Sequence, residues 1–341
     1  MIMVVRDGIG SVELFRMRLP SRRVAKEVVE KTYDVIVVGG GPAGLTAALY
    51  AARYMLSVIV VAEKIGGQMA ETGWVENYPG IPRIMGPELA KRFEEHVRRY
   101  GVPIVVDKVV DVVRDGELFI VKTGSRAELR GHTIILALGV KKRRLGVPGE
   151  LEFTGRGVSY CAPCDAPLFR GKRVAVVGGG DSAASAALLL AEYADKVYIV
   201  HRRDQLRAQP LYRKLLSENP RIEILYNRIV KRIDGDKAVK KIILEDRVSG
   251  QIEELNVNGV FIEVGAEPPS DFAKKLGLEV DDKGYIKVKN DMSTNIPGIF
   301  AAGDCTNALG GVKQIVVAAA MGAVAATSAY RYLLGKGKCS K

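Results

Sequence analysis

The chain has 341 residues, of which 48% are hydrophobic and 37 are glycine, which is typical of a compact α/β protein with two domains and excludes a disordered or fibrous one. Its four cysteines are too few for a secreted disulfide scaffold, and no charged segment followed by a sustained apolar stretch opens the chain, so we expect a cytoplasmic protein without a signal peptide. The net charge of +12 is spread along the chain and only 6% of residues are aromatic, so we expect no nucleic-acid partner.

The first predicted unit follows a basic extension, residues 1–30, in which we predict a short helix over 24–31 and no function. Tyr33–Val38 is a short apolar run, as in a parallel strand buried on both faces. A Gly-x-Gly-x-x-Gly loop and a helix through residues 45–52 follow, and a second strand over 57–61 ends at Glu63.

This strand, loop, helix and acid predict a dinucleotide site. The glycines allow a pyrophosphate to approach the helix N-terminus, and Glu63 can accept hydrogen bonds from both ribose hydroxyls, which favours an unphosphorylated ribose such as that of FAD. The alternative is an ordinary turn between a strand and a helix. The predicted ligands are Gly39, Gly41, Pro42, Ala43, Gly44 and Glu63.

A Cys-x-x-Cys motif, Cys161 and Cys164, stands near the middle of the chain and is followed by Asp165. Two intervening residues let the cysteines close a small disulfide ring, and an adjacent acid can move the proton that thiol–disulfide exchange requires. The alternative is half of a zinc site. Zinc needs a second pair of ligands, whereas Cys305 and Cys339 stand alone and the three histidines are scattered, so we predict a redox dithiol and no metal.

A second glycine-rich loop follows the dithiol. A shift of 139 residues places Gly178, Gly180 and Ala183 on Gly39, Gly41 and Gly44, which indicates two copies of one dinucleotide-binding unit. One dithiol and two such loops suggest electrons passing between a nicotinamide, a flavin and a disulfide. The predicted ligands in the second loop are Gly178, Gly180, Asp181, Ser182 and Ala183.

The second copy differs from the first after its second strand, 197–200, where basic residues replace the acid. Guanidinium groups bind a 2′-phosphate that a carboxylate would repel, so this site is predicted to take NADPH. The alternative is a solvated basic start of a helix. The residues concerned are His201, Arg202, Arg203 and, one turn further on, Arg207.

The last predicted helix runs from Gln314 to about Leu334 and carries no charge from Ile315 to Tyr330. Its alanine, glycine and serine residues give it a poor insertion energy, so we predict a buried core helix rather than a membrane span. Cys305 is predicted to be a buried packing residue.

From Tyr33 to about Leu334 the chain resembles the low-molecular-weight thioredoxin reductases. The resemblance implies two Rossmann-like, three-layer α/β domains, with an NADPH domain over 144–261 inserted into an FAD domain formed by 31–143 and 262–341. It also implies that the inserted domain rotates, so that the dithiol faces the flavin and the solvent in turn. The motifs that carry the resemblance are 39–44, 66–68, 76–80, 161–165, 178–183, 201–208 and 301–304.

The same resemblance implies roles for individual residues. Cys164 would be the thiol next to the flavin, Cys161 the nucleophile towards the partner protein, and Asp165 the acid and base. The helix that starts near Gln314 would direct its positive end at the isoalloxazine ring. Further residues assigned to FAD are Lys64, Gly66, Gly67, Gln68, Asn77, Gly303, Asp304, Lys313, Gln314 and Ile315.

The predicted function is therefore transfer of electrons from NADPH through FAD and the Cys161–Cys164 dithiol to thioredoxin or a glutaredoxin-like protein, in a homodimer. One alternative is a flavin NAD(P)H oxidase or peroxide-forming enzyme, against which the dithiol argues because such a reaction needs none. The other is a non-catalytic flavoprotein redox sensor or a zinc-binding interaction module.

Overall fold

The structure, a computed structural model, describes residues 26–338. The predicted helix over 24–31 is present from Lys26, and the rest of the basic extension and Cys339 lie outside the described residues. The α-helices of the described residues are α1 Lys26–Glu30, α2 Pro42–Arg53, α3 Gly86–Arg98, α4 Ala162–Asp165, α5 Asp181–Ala191, α6 Pro210–Glu218, α7 Ser270–Lys275 and α8 Ile315–Gly335.

Short 3-10 helices cover Gly67–Glu71, Ala166–Phe169 and Leu309–Gly311. The strands are β1 Thr32–Gly40, β2 Val58–Ile65, β3 Trp74–Val75, β4 Ile84–Met85, β5 Ile104–Val106, β6 Val109–Asp115, β7 Leu118–Thr123, β8 Glu128–Leu136, β9 Lys141–Lys142, β10 Val158–Ser159, β11 Arg173–Gly178, β12 Lys196–Val200, β13 Ile222–Leu225, β14 Arg228–Gly235, β15 Val239–Asp246, β16 Ile252–Asn256, β17 Gly259–Glu263, β18 Ala266–Glu267 and β19 Ile299–Ala301.

Two sheets organise the described chain. The first has the order β5-β2-β1-β8-β7-β6, with β19 also paired to β8, and the second is the parallel sheet β10-β17-β11-β12-β13. The first sheet takes strands from both sides of the second sheet in sequence, as the prediction of an inserted domain requires. β17, Gly259–Glu263, spans the predicted boundary between residues 261 and 262.

The internal repeat is present in three dimensions. In β1 and β2, Val35 pairs with Val58, and 139 residues later Val174 of β11 pairs with Val197 of β12, both in parallel. Each pair of strands is connected through a helix, α2 or α5, that starts directly after the glycine-rich loop. The prediction of two related units is therefore confirmed, although β2 continues to Ile65 and Glu63 lies within the strand rather than after its end.

Each sheet is covered on both faces, which makes each unit three-layered. One face of the first sheet packs on α2 and α8, and residues of α1 and α7 pack against the other. The second sheet packs on α5 on one face and on the antiparallel sheet β14-β15-β16 on the other. The predicted fold class is confirmed.

The helix α8 is long and apolar enough, at a mean hydropathy of 1.3, to cross a membrane by length and composition. It lies in the core of the first unit instead, where Ala325, Ala326 and Ala329 are fully buried. Gly322 approaches α2 so closely that an added Cβ would lie 2.1 Å from the Ala43 carbonyl oxygen. The small residues that weaken a membrane span therefore serve close packing between helices.

The two segments that connect the units form one ribbon. Lys142 of β9 pairs with Ala266 of β18 in antiparallel fashion, and the Arg143 amide donates to the Gly265 carbonyl at 2.9 Å. The Arg143 guanidinium also forms an ion pair with Glu267 at 3.0 Å. Both crossings between the units therefore lie side by side.

Candidate active site

A cavity of about 930 Å³ lies between the two units. Its volume is in the range of cofactor sites in proteins. The predicted residues that line it are Gly39, Gly41, Pro42, Ala43, Glu63, Lys64, Gly67, Gln68, Asn77, Asp181, Ser182, Gly303, Asp304, Lys313, Gln314 and Ile315. The other predicted cofactor residues, which are not among those lining it, are Gly44, Gly66, Gly178, Gly180, Ala183, His201, Arg202, Arg203 and Arg207.

The first glycine-rich loop is shaped by close approaches of main-chain atoms. Gly39 has a φ of +119°, and an added Cβ would lie 2.1 Å from the Ala137 carbonyl oxygen. At Gly44 an added Cβ would lie 1.9 Å from the Gly39 carbonyl oxygen. At Gly41, the N-cap of α2, no atom lies within 4 Å of an added Cβ. Two glycines therefore form the turn, and the third leaves space for a ligand at the helix N-terminus.

The second loop repeats this arrangement with a different support. Gly180 is the N-cap of α5 and again faces open space, whereas Gly179 lies against the His201 ring, 2.2 Å from the position of an added Cβ. His201 is only 4% exposed, its Nε2 lies 3.0 Å from the Gln205 carbonyl oxygen, and burial lowers its pKa. Its ring therefore supports the loop from the protein side.

The three predicted arginines are exposed and lie beyond the second loop. Arg207 is attached to this loop, because its amide donates to the Gly179 carbonyl at 2.7 Å. The segment that carries them is irregular, so Arg207 is not placed one helical turn after Arg203 as the sequence predicted.

The dithiol is present as a disulfide between Cys161 and Cys164, with the two Cα atoms 5.4 Å apart. Cys161 is the N-cap of the short helix α4, and α4 lies against the 3-10 helix of residues 67–71 in the first unit. Cys164 is exposed and Cys161 is half-buried, while the intervening Ala162 and Pro163 line the cavity. The amide of Asp165 donates to the Cys161 carbonyl at 3.3 Å.

The wall of the cavity formed by the first unit carries polar side chains that the sequence predicted. Gln68 Nε2 donates to the Val140 carbonyl at 2.6 Å, and Asn77 Nδ2 donates to Gln314 Oε1 at 2.9 Å. Burial raises the pKa of Asp304, and the positive charge of Lys313 opposes that shift.

Among the charged residues of the cavity that were not predicted, Glu71, Lys142 and Glu263 form one network. Lys142 Nζ donates to the Tyr160 carbonyl at 2.5 Å and to Glu263 Oε1 at 2.9 Å, and it lies 3.9 Å from Glu71 Oε2. Lys64 extends this network, since its Nζ lies 2.7 Å from Glu71 Oε1. Burial raises the pKa of Glu263, while Lys142 opposes the shift. In the sequence, Lys142 belongs to a Lys-Lys-Arg-Arg run that looks like a solvated surface, so it gave no signal.

Tyr160, directly before Cys161, is also held by its side chain. Its hydroxyl donates to Glu150 Oε1 at 2.6 Å, and the same carboxylate accepts from the amides of Leu145 at 3.0 Å and Gly146 at 2.7 Å. Burial and the hydrogen bond to Glu150 raise the pKa of Tyr160 to about 12. Glu150 is 1% exposed, so the connecting segment and the dithiol segment share a buried carboxylate.

Away from the connecting ribbon, side chains of the two units also meet at Trp74. Its Nε1 donates to Glu192 Oε1, at the end of α5, at 2.9 Å. The Arg83 guanidinium lies 4.1 Å from the centre of the Trp74 ring and 3.8 Å from the same carboxylate oxygen.

Two dinucleotide loops and a disulfide around one cavity define a disulfide oxidoreductase that uses dinucleotide cofactors. The family model described as pyridine nucleotide-disulphide oxidoreductase matches residues 33–322. The thioredoxin reductase of Bacillus subtilis (strain 168) is 43% identical over 306 residues, covering 89% of this chain and 96% of that protein. The chain belongs to the pyridine nucleotide-disulphide oxidoreductase family, within its thioredoxin reductases.

Solved structures of thioredoxin reductases match the fold. That of Lactococcus lactis is 38% identical, with a TM-score of 0.85, and the match covers 89% of this chain and 99% of that one. That of Streptococcus pyogenes MGAS5005 is 42% identical, and the match covers 89% of this chain and 99% of that one, but the TM-score is 0.59.

Proposed function

We propose that this protein reduces the disulfide of a thioredoxin-like protein with electrons from NADPH, using FAD and the Cys161–Cys164 pair. The observation that carries the proposal is the position of this disulfide, whose intervening residues line a cavity that both dinucleotide loops approach.

FAD fits the wall of the cavity that belongs to the first unit. The open space at Gly41 and the N-terminus of α2 suit its pyrophosphate, and the carboxylate of Glu63 suits its adenosine ribose. Gln68, Asn77 and Asp304 supply polar side chains for the remaining parts of FAD. When bound, FAD accepts a hydride from a nicotinamide and gives up two electrons to a disulfide.

NADPH would be held by the second unit. The N-terminus of α5 and Gly180 suit its pyrophosphate, as α2 and Gly41 do in the first unit. Arg202, Arg203 and Arg207 are exposed and free to form bidentate hydrogen bonds with the 2′-phosphate.

The dithiol performs the exchange with the partner. Two electrons and two protons convert the Cys161–Cys164 disulfide into two thiols. The Cys161 thiolate attacks one sulfur of the partner's disulfide, forming a mixed disulfide and releasing the partner's other thiolate, which takes up a proton. The Cys164 thiolate then attacks Cys161, which releases the reduced partner and restores the original disulfide. Asp165, which directly follows Cys164 in the sequence, would move these protons.

The inserted unit has to move for the dithiol to serve both sides of this reaction. The paired crossings β9 and β18 form a narrow connection about which it can turn. The solved structures support such motion, because the Streptococcus pyogenes enzyme has the higher identity and the lower TM-score. A different placement of two otherwise similar units produces that combination.

We also propose a homodimer in the cytoplasm, with thioredoxin or a glutaredoxin-like protein as the substrate. Exposed apolar side chains on α8, Val316 and Val324, offer part of a surface for a second copy. Light scattering of the purified protein at several concentrations tests the dimer.

The function is tested with Cys161→Ser and Cys164→Ser. Each variant is expected to retain FAD and to have its FAD reduced by NADPH, because neither cysteine holds a dinucleotide. Each is expected to reduce a thioredoxin-like protein at less than about 1% of the parent rate, since the two thiols act as a unit. Cys305→Ala is the control, because Cys305 is a buried free cysteine that does not line the cavity. Unchanged thioredoxin reduction, or NADPH-dependent oxygen consumption at an equal rate in all variants, would favour the oxidase alternative.

A further inference from the structure

We propose that Lys142 is a positioning residue, which holds the main chain before Cys161 against the first unit. The inference deepens the proposed function, because it names the group that aligns the dithiol. Its importance for catalysis rests on that function, whereas the structural role of Lys142 does not.

Lys142 connects three parts of the molecule through one ammonium group. It lies on β9, in the first crossing between the units, and its side chain is 19% exposed. Its partners are the Tyr160 carbonyl of the dithiol segment, Glu263 at the end of β17, and Glu71 on the 3-10 helix of the first unit. The ammonium group donates to the Tyr160 carbonyl at 2.5 Å and to Glu263 at 2.9 Å, and it lies at ion-pair distance, 3.9 Å, from the Glu71 carboxylate.

The burial of Glu263 explains why a lysine is retained at this place. The Glu263 side chain is 7% exposed, and a carboxylate withdrawn from water to this degree needs a cation or a proton. Lys142 supplies the charge at 2.9 Å. The ion pair with Glu263 therefore fixes the position of the Lys142 ammonium group, so that another of its donors reaches the Tyr160 carbonyl rather than solvent.

The defined place is the main chain of the residue that precedes Cys161. Tyr160 is already held through its hydroxyl by Glu150, so Lys142 fixes the other end of the same residue. Two anchors restrict the dithiol segment more than one can. Such restriction matters, because an error of about 1 Å in the placement of reacting groups costs about a hundredfold in rate.

The test compares four variants of the FAD-bound protein in its oxidised form, by hydrogen exchange of the segment 158–165. Lys142→Met is expected to increase exchange of this segment by at least about tenfold, the lower end of what the loss of one hydrogen bond to a charged group corresponds to. Lys142→Arg, which keeps charge and donors, is expected to stay within about threefold of the parent on the same basis. Glu263→Gln keeps the Tyr160 contact and is expected to lie between these two.

The matched control is Lys241→Met. Lys241 forms an exposed ion pair with Glu254 at 2.7 Å on the antiparallel sheet of the same unit, and its variant is expected to exchange like the parent. A second readout is the alkylation rate of the reduced cysteines as a function of pH, which Lys142→Met is expected to change and Lys241→Met is not.

Exchange and alkylation profiles of Lys142→Met that match the parent would overturn the proposal, as would Glu263→Gln behaving like Lys142→Met, since the ion pair would then act through general stability. If Lys142→Met does not fold, the other variants decide: exchange of the segment 158–165 is expected to increase from the parent to Lys142→Arg and further to Glu263→Gln, and any other order would overturn the proposal. These measurements need neither NADPH nor a partner protein, so they can fail while the proposed function holds. Loss of thioredoxin reduction in the cysteine variants tests that function separately.

Discussion

Tyr160 shows how a single side chain can connect the ribbon to the reacting sulfurs. Its hydroxyl is bound to a carboxylate that also holds the amides of Leu145 and Gly146. The neighbouring Cys161 is bonded to the Ser159 hydroxyl through its amide at 3.0 Å. Short-range hydrogen bonds thus fix the approach to the dithiol from both directions.

The variant Tyr160→Phe is expected to be less stable than the parent by about 1 kcal/mol at pH 8, because a buried carboxylate loses a donor. In the folded protein the pKa of Tyr160 is about 12, above the ordinary 10.0. The folded state therefore keeps its proton while the unfolded state loses it, so this stabilisation is complete below pH 10 and is lost as the pH rises towards 12.

Urea unfolding of both proteins at pH 8 and pH 11 checks this expectation. The difference in unfolding free energy between parent and variant should narrow at the higher pH. The exposed Tyr226 provides the control substitution, Tyr226→Phe. A difference that stays constant or widens with pH would contradict the assigned environment of Tyr160.

Site residues that form a motif with a fixed spacing could be predicted from the sequence. Those that come together only through the fold could not. The spacing of Cys161 and Cys164 predicted a dithiol, which the structure contains. Glu150, Lys142 and Glu263 come together only because three separate segments meet. Nothing in their local sequence distinguishes them from surface charges. The burial of His201 against Gly179 was likewise not predictable from its position in a basic run.

At the scale of elements, a strand, a loop and a helix are used twice, with one instructive difference. Gly44 of the first copy is tight against the Gly39 carbonyl, whereas the second copy carries Ala183 at the equivalent position. The two helix starts are otherwise alike, since Gly41 and Gly180 both leave open space.

These contacts predict that two alanine substitutions in one loop affect different properties, folding stability in one case and FAD binding in the other. Gly44→Ala is expected to cost about 2–3 kcal/mol of folding stability, because the new methyl group overlaps the Gly39 carbonyl oxygen. Gly41→Ala is expected to cost less than about 1 kcal/mol of the stability of the FAD-free protein, the loss of a glycine at a helix N-cap. It is expected to weaken FAD retention more, because its methyl group enters the space proposed for the pyrophosphate.

Thermal unfolding without FAD and an FAD binding titration separate the two effects. Tight FAD binding by Gly41→Ala would show that the pyrophosphate lies elsewhere. Parent-like unfolding of Gly44→Ala would show that α2 can shift at little cost.

Element types were more predictable than element ends. The apolar runs of β1 and β12 and the apolar length of α8 indicated their structure directly. The predicted end of β2 was wrong, because the polar residues Glu63 and Lys64 suggested that the strand had ended. The strand continues through both residues, which line the cavity. A strand that borders a polar site loses its apolar signature before it loses its pairing.

At the scale of the whole molecule, the contact between Trp74 and Glu192 holds one orientation of the two units. Trp74 is the chain's one tryptophan, which makes its emission a direct probe of this contact. Arg83 is positioned to hold both partners, stacked on the indole and 3.8 Å from the carboxylate oxygen.

Glu192→Ala is expected to shift the tryptophan emission of the FAD-free protein to longer wavelength, because the indole N–H then bonds to water. In the FAD-bound protein, the variant is expected to show a smaller emission change on addition of NADPH than the parent, since the contact that movement would break is already absent. Glu218→Ala, at an exposed ion pair elsewhere in the same unit, is the control. Identical spectra for the parent and Glu192→Ala would mean that the contact does not restrain the units.

The two related units were predictable from the internal repeat, and the insertion of one unit in the other from the resemblance to a known family, but the placement of the units depends on contacts such as this one. Neither Trp74 nor Glu192 belongs to a motif, and their distance in sequence gives no sign that they meet.

The ribbon also explains how one folding unit can be inserted in another. Because the Arg143 amide and the Gly265 carbonyl are hydrogen-bonded, the inserted segment leaves and rejoins its host at a single point, as a hairpin loop would. A compact body with adjoining ends can be exchanged as a cassette, so the nucleotide specificity of such a reductase can change by transplantation while its flavin scaffold stays intact.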